Sequence, residues 1–132
     1  MEKAGIFLLT SDKKEGWGAV LNEAMNSACA VIASREAGAV PYLIKDNENG
    51  LTFCSGSVGS LYEKLKNLLC SPGEQRRLGS GAYRTILEEW NAETAAGRFI
   101  ELCGGLMKRK TVLFETGPCS RAEMNTEKRV AR

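Results

Sequence analysis

Two glutamates, Glu15 and Glu23, stand with seven residues between them around the turn Gly16-Trp17-Gly18, and a run of helical character follows the turn. A helix N-terminus offers unpaired N–H groups and a partial positive charge, so the amides near Ala19 and Val20 suit an anion such as a diphosphate. Gly16 and Gly18 let backbone approach a ligand closely. Glu15 precedes the turn and can reach a neutral, hydroxyl-rich group beside the anion. Glu23, about 1.5 turns into the expected helix at 3.6 residues per turn, can accept hydrogen bonds from two vicinal hydroxyls, because ionised oxygens accept several. A nucleotide-sugar carries these parts in this order: ribose, diphosphate, sugar.

Taken by spacing alone, two acids and two glycines form a weak motif. Glu15 reads equally as a loop charge near a helix start, and Glu23 as a solvated helix-face residue. Trp17, between two glycines, reads either as a platform for a sugar or as a staple packed beneath the loop.

The elements that must position these residues are legible from periodicity. "GIFLLT" (residues 5–10) is a short continuous apolar run, the pattern of a strand buried on both faces, and "CAVIAS" (29–34) is a second. Between them, residues 18–27 read as a helix with Val20, Leu21, Ala24 and Met25 on one side. Strand, helix and strand in about 30 residues are one parallel βαβ crossover. Residues 35–50 read as a connection punctuated by Gly38 and Pro41, with "LTF" (51–53) a further short strand. An ordinary connection is the plainer reading of "SREAGAV"; the alternative is a contribution of the Gly38 backbone to a ligand pocket.

Three helices complete the body. Leu61, Leu65, Leu68 and Leu69 form one apolar face. Ser71, Pro72 and Glu74 suit the N-cap, first position and capping-box acid of the next helix. That helix carries Leu78, Ala82, Tyr83, Ile86 and Leu87 on one side, with Gly79 and Gly81 weakening it by about 1 kcal/mol each. Asn91 suits the cap of the last helix, which runs to Met107, and Tyr83, Trp90 and Phe99 are expected in the core. The fold class is therefore α/β: a partial Rossmann-like parallel sheet followed by C-terminal helices. Residues 1–107 form the body; residues 108–132 are expected to be a basic, poorly ordered tail with one candidate strand, "TVLFE".

Composition narrows the chemistry. The chain has 132 residues, 43% hydrophobic and 26% charged, which fits one globular domain burying roughly two thirds of its unfolded surface. It contains no histidine, which removes Ser-His-Asp and Cys-His nucleophilic sites and makes a zinc site unexpected; no metal is assigned. Five scattered cysteines without a Cys-x-x-Cys pair read as buried thiols in a reducing compartment, and the N-terminal apolar stretch is too short for a signal peptide, so a cytoplasmic location is expected. Residues 108–132 hold seven basic and three acidic side chains, net +4, against −2 for residues 1–107. Such a tail suits peripheral contact with anionic lipid. Nucleic acid is not expected, for want of interleaved aromatics and dense Lys/Arg clustering.

The residues around the two acids carry a longer resemblance. Glu15-Gly16-Trp17-Gly18, Glu23-Ala24-Met25 and Val31-Ile32-Ala33-Ser34, with "NGLTF", "NLLCSPGEQRRLGSGAY" and "EEWNAETAAGRF", together resemble the C-terminal, donor-binding domain of the family 4 retaining glycosyltransferases, which have two facing Rossmann-like domains (the GT-B fold). The resemblance spans about residues 4–103. It implies transfer of a sugar from a nucleotide diphosphate to an acceptor hydroxyl with retention, in a hexosyltransferase-like reaction of polysaccharide or glycoconjugate synthesis. It assigns Glu15 to the donor sugar as the catalytic-site acid, the Gly16, Trp17 and Gly18 backbone to the sugar, Ala19 and Val20 to the distal phosphate, and Glu23 to the ribose. It implies no cofactor, only a nucleotide-sugar substrate for which uridine is the family's commonest base, and no metal, since basic residues and helix amides hold the leaving diphosphate.

The family's diphosphate-binding Arg and Lys, its base-binding residues and its acceptor domain have no counterpart here, and Lys13 and Lys14 do not match that pair. Isolated catalytic incompetence is expected, with an N-terminal acceptor domain or a partner chain supplying the rest. The rival reading is a non-catalytic nucleotide-sugar-binding or protein-interaction module. Ala28 stands where relatives often have glycine, which would strain a turn needing positive φ.

Overall fold

A computed structural model describes residues 3–120. Three strands, β1 (Ile6–Leu9), β2 (Ala30–Ser34) and β3 (Leu51–Phe53), form a parallel sheet in the order β1-β2-β3. Register pairs Ile6 with Ala30 and Leu9 with Ala33, then Ile32 with Leu51 and Ser34 with Phe53. Five helices accompany them: α1 (Val20–Asn26), α2 (Val40–Leu43), α3 (Val58–Leu69), α4 (Pro72–Glu88) and α5 (Ala92–Met107). This is the α/β architecture read from the sequence.

β2 is buried along its whole length, as its unbroken apolar run requires for a central parallel strand. Alternation sends Val31 and Ala33 to one face, where Leu9, Leu21, Ala24, Met25, Leu43 and Ile86 pack. Ala30 and Ile32 meet Phe53, Leu68 and Leu78 on the other. β1 departs from expectation. Leu9 is buried but Leu8 is exposed, because β1 is an edge strand among the described residues.

Helix α1 begins at Val20 rather than at Gly18, since Gly18 takes φ +72°, outside the right-handed helical region. It ends in a Schellman motif: Cys29 N–H donates to the Ala24 carbonyl (3.1 Å) and Ala28 N–H to that of Met25 (3.0 Å). Ala28 occupies the left-handed position at φ 54°, which glycine ordinarily takes, so the strain expected at this turn has its geometric basis.

The two glycines of α4 are contact residues rather than mere weak points. A Cβ at Gly79 would stand 2.2 Å from the Ala28 carbonyl oxygen, and one at Gly81 2.8 Å from that of Glu48. Their absence lets α4 lie directly on the turn after α1 and on the 46–50 loop.

Several helical details differ from the expectations. α3 starts at Val58, two residues earlier than its leucine pattern indicates, because Ser57 Oγ accepts the Ser60 N–H (3.3 Å). Ser71 stands at the α4 N-cap without a side-chain cap, and Glu74 pairs with Arg77 (2.7 Å) instead of closing a capping box. That contact holds the Glu74 carboxyl below its usual range. Asn91 does cap α5, its Oδ1 accepting the Thr94 N–H at 2.8 Å. Leu69, Tyr83, Leu87 and Phe99, expected on buried faces, are exposed. Of the cysteines only Cys29 is buried, and none of the five forms a disulfide among the described residues.

After α5 the chain forms neither helix nor strand to residue 120, so "TVLFE" is not a strand. Residues 108–120 run back along α5. Arg98 donates to the carbonyls of Thr116 and Pro118, and its guanidinium lies 4.9 Å from the Phe114 ring centroid. The remainder of the expected tail, 121–132, lies outside the described residues.

Candidate functional site

In an open parallel sheet, ligands bind beyond the carboxyl ends of the strands. At that end the chain places the loop after β1, which carries Glu15 to Gly18, and the loop after β2, which carries Gly38. The two loops touch. A Cβ on Gly38 would fall 1.4 Å from the Gly16 carbonyl oxygen and 3.1 Å from that of Glu15, so only glycine fits. Beside this contact, Ala39 N–H donates to the Trp17 carbonyl (3.1 Å). The second loop thus forms the floor on which the Glu-Gly-Trp-Gly turn rests.

Glu15 is half-buried. Its N–H donates to the Asp12 carbonyl (3.0 Å), closing a turn, and its Oε2 accepts from Ser11 Oγ at 2.9 Å. The side chain folds over Gly18, whose missing Cβ would lie 3.3 Å from Glu15 Cγ and 3.9 Å from Oε1. The carboxylate is therefore held beside the residue that leads into α1. Gly18 N–H-side backbone reverses direction at positive φ, and Leu21 N–H then donates to the Gly18 carbonyl (2.8 Å).

Ala19 is the N-cap of α1 and Val20 its first residue. Among the described residues nothing accepts from the N–H groups of Ala19 and Val20, as the first turn of a helix leaves them. Glu23 lies in this first turn, earlier than the sequence indicated, because the helix starts late. It is exposed and one helical turn after Ala19, on the same side of the helix. The structure thus brings Glu15, Gly16, Gly18, Ala19, Val20 and Glu23 to one end of the sheet.

Trp17 shows its packing role. Its ring centroid lies 5.4 Å from that of Tyr42 and 5.5 Å from that of Trp90, and its indole N–H donates to Asn22 Oδ1 (2.9 Å). The aromatic trio ties the turn to α2 and to the junction of α4 and α5. Ser11, Asn22 and Gly38 were not singled out as site residues from the sequence; Gly38 was raised only as an alternative. Their roles arise from contacts between loops, for which residue type alone gives no signal.

One further feature marks this edge. Ser34, the last residue of β2, is fully buried, and its hydroxyl has no hydrogen-bond partner among the described residues. A shallow cleft between α3, α4 and β3, lined by Asn47, Leu51, Lys64 and Ser71 among others, opens at the amino end of β3 and so belongs to the other end of the sheet.

An open parallel sheet with a glycine-bearing turn entering a helix at its carboxyl edge defines a partial Rossmann-like unit. The profile of the family Glycosyl transferases group 1 matches residues 1–85, and the chain belongs to that family. Among solved structures it is similar to the C-terminal domain of a Glycosyl Transferase Group 1 Family Protein (LpcC) from Francisella tularensis, at 35% identity over 63% of this chain and 42% of that one, TM-score 0.58. Sucrose-phosphate synthase from Thermosynechococcus elongatus shares the fold at 24% identity over 81% of this chain and 26% of that one, TM-score 0.69. Anabaena Alr3699/HepE, solved in complex with UDP, shares it at 20% identity over 79% of this chain and 28% of that one, TM-score 0.71. The chain thus spans between 26% and 42% of the length of these structures. No curated protein sequence matches it.

Proposed function

We propose that the chain is the donor-binding part of a retaining glycosyltransferase that moves a sugar from a nucleotide-diphosphate sugar to an acceptor hydroxyl. The observation that carries this reading is the placement of two acidic residues around one helix start. Glu15 folds over Gly18, and Glu23 stands exposed in the first turn of α1, after the open amides of Ala19 and Val20.

In this reading the amides of Ala19 and Val20 receive the distal phosphate, and the positive end of α1 stabilises the charge that develops as the diphosphate leaves. Glu23 accepts from the two ribose hydroxyls. Glu15, kept in place by Ser11, faces the donor sugar together with the Gly16–Gly18 backbone. A uridine nucleotide is the donor base of choice, in keeping with the UDP complex of the Anabaena structure. The basic residues that hold the rest of the diphosphate, and the acceptor site, come from residues beyond these 132 or from a partner chain. The 132-residue chain alone therefore binds donor without turning it over.

The test is an assay of the isolated chain for hydrolysis or transfer of a UDP-sugar, run beside UDP binding. Saturable UDP binding without turnover is expected. Robust turnover overturns the claim of incompetence, and absence of UDP binding overturns the donor-site reading.

A further inference from the structure

Gly16 and Gly18 have no side chains, so the indole of Trp17 is the only side-chain anchor of the turn between the two glutamates. We infer that Trp17 and Asn22 are positioning residues, a clamp that holds the turn and the residues leading into α1 in the arrangement that receives the donor. The inference rests on the donor-site reading above and deepens it.

Glycine takes positive and negative φ with similar ease, and Gly18 stands at φ +72°. Backbone bonds hold the turn at few points: the Trp17 carbonyl accepts from Ala39 N–H (3.1 Å) and the Gly18 carbonyl from Leu21 N–H (2.8 Å). The indole supplies the remaining hold. Its ring packs on Tyr42 and Trp90, whose own rings meet edge-on at 6.2 Å, so two elements distant in sequence fix its plane. Ring contacts alone leave the indole unconnected to α1. The bond from Trp17 Nε1 to Asn22 Oδ1 (2.9 Å) makes that connection. An indole N–H only donates, so the amide oxygen of Asn22 must face it. Asn22 immediately precedes Glu23 in the first turn of α1, and the bond closes a ring of chain over residues 18–21. The turn that follows Glu15 is thereby tied to the helix that carries Glu23.

The bond is exposed, so water replaces it at little cost to stability. Its effect is on geometry. With the indole untied, residues 16–18 populate further arrangements. A ligand that needs one of them then binds more weakly, in proportion to the fraction of chains that hold it.

The test is a double-mutant cycle of UDP affinity, measured by calorimetry on the full 132-residue chain: wild type, Trp17→Phe, Asn22→Ala and the two together. Trp17→Phe keeps a ring against Tyr42 and Trp90 but has no N–H. Asn22→Ala removes the acceptor and raises helix propensity, so folding is not at risk. The chain holds two tryptophans, so two indole N–H signals appear by NMR, and that of Trp17 reports the bond. Each single variant is expected to bind UDP about threefold to tenfold more weakly, the effect of one net hydrogen bond. The double variant is expected to bind no more weakly than the weaker single, since both remove the same contact. Melting temperatures are expected to stay within about 2 °C of wild type, and the Trp17 indole signal is expected to shift in Asn22→Ala and on saturation of wild type with UDP. Three results overturn the clamp: wild-type affinity in either single variant, losses that multiply in the double variant, or losses that track a fall in melting temperature, which would make the contact structural only. Wild type that binds no UDP overturns the donor-site reading and the clamp with it. Wild type that binds UDP beside variants that bind it equally well overturns the clamp alone.

Discussion

Gly38 lies directly against the carbonyl of Gly16, with room for a hydrogen and not for a methyl group: a Cβ at 38 would fall 1.4 Å from that oxygen. Two loops 22 residues apart are thereby locked into one surface, and the glutamate before the turn is carried with them. Gly38→Ala must push the turn away. A loss of about 1–3 kcal/mol in urea melts is expected, as for other overpacked sites, and a weakened UDP response is expected beside it. Unchanged stability and binding would show that the loops separate freely.

Ala28 and Gly79 predict a pair of opposite effects. Ala28 sits at φ 54° in the Schellman turn, where a Cβ costs about 1–2 kcal/mol. Part of that gain is offset by the greater freedom of glycine in the unfolded chain. Ala28→Gly should therefore stabilise by about 0.5–1 kcal/mol. Gly79→Ala improves helix propensity by about 1 kcal/mol, yet its Cβ would strike the Ala28 carbonyl, so net destabilisation is expected. Thermal melts of both variants decide the point.

Ser34 has a buried hydroxyl without a partner among the described residues. Leaving a donor and acceptor desolvated costs about 1–3 kcal/mol, which alanine does not incur. Ser34→Ala should leave stability unchanged or raise it by about 1 kcal/mol. A clear loss would reveal a hydrogen bond to the Ser34 hydroxyl in solution.

The central strand was fully legible, because four consecutive apolar residues, Ala30–Ala33, leave no polar face to expose. So was the cap at Asn91, whose type and position suffice locally. Faces were less legible than periods. The repeat that carries Leu78, Ala82 and Ile86 into the core also runs through Tyr83 and Leu87, which lie outside it, because periodicity defines a stripe and not what covers it. Helix starts failed where backbone torsion or a short cap decided them, as at Gly18 and Ser57. The site showed its acids and glycines in sequence, but not the Ser11 bond to Glu15 or the Gly38 floor, which exist only once two loops meet.

Arg98 holds the returning segment through two carbonyls and the Phe114 ring. Arg98→Ala removes all three contacts at once. Hydrogen exchange of residues 112–118 should then rise sharply while β2 stays protected, since strap and sheet share no contact through that side chain. Equal exchange in both proteins would mean that the strap is held by its own backbone.

The most direct test of the proposed donor site is a titration of UDP into isotope-labelled chain, followed by amide NMR in the wild type and in Glu23→Ala. The account predicts saturable shifts centred on Gly16 to Glu23, strongest at Ala19 and Val20, and an affinity lower by about tenfold or more in the variant, as expected for loss of charge-assisted bonds worth about 1.5–3 kcal/mol. Shifts confined to another part of the molecule, or equal affinity in the two proteins, would contradict it.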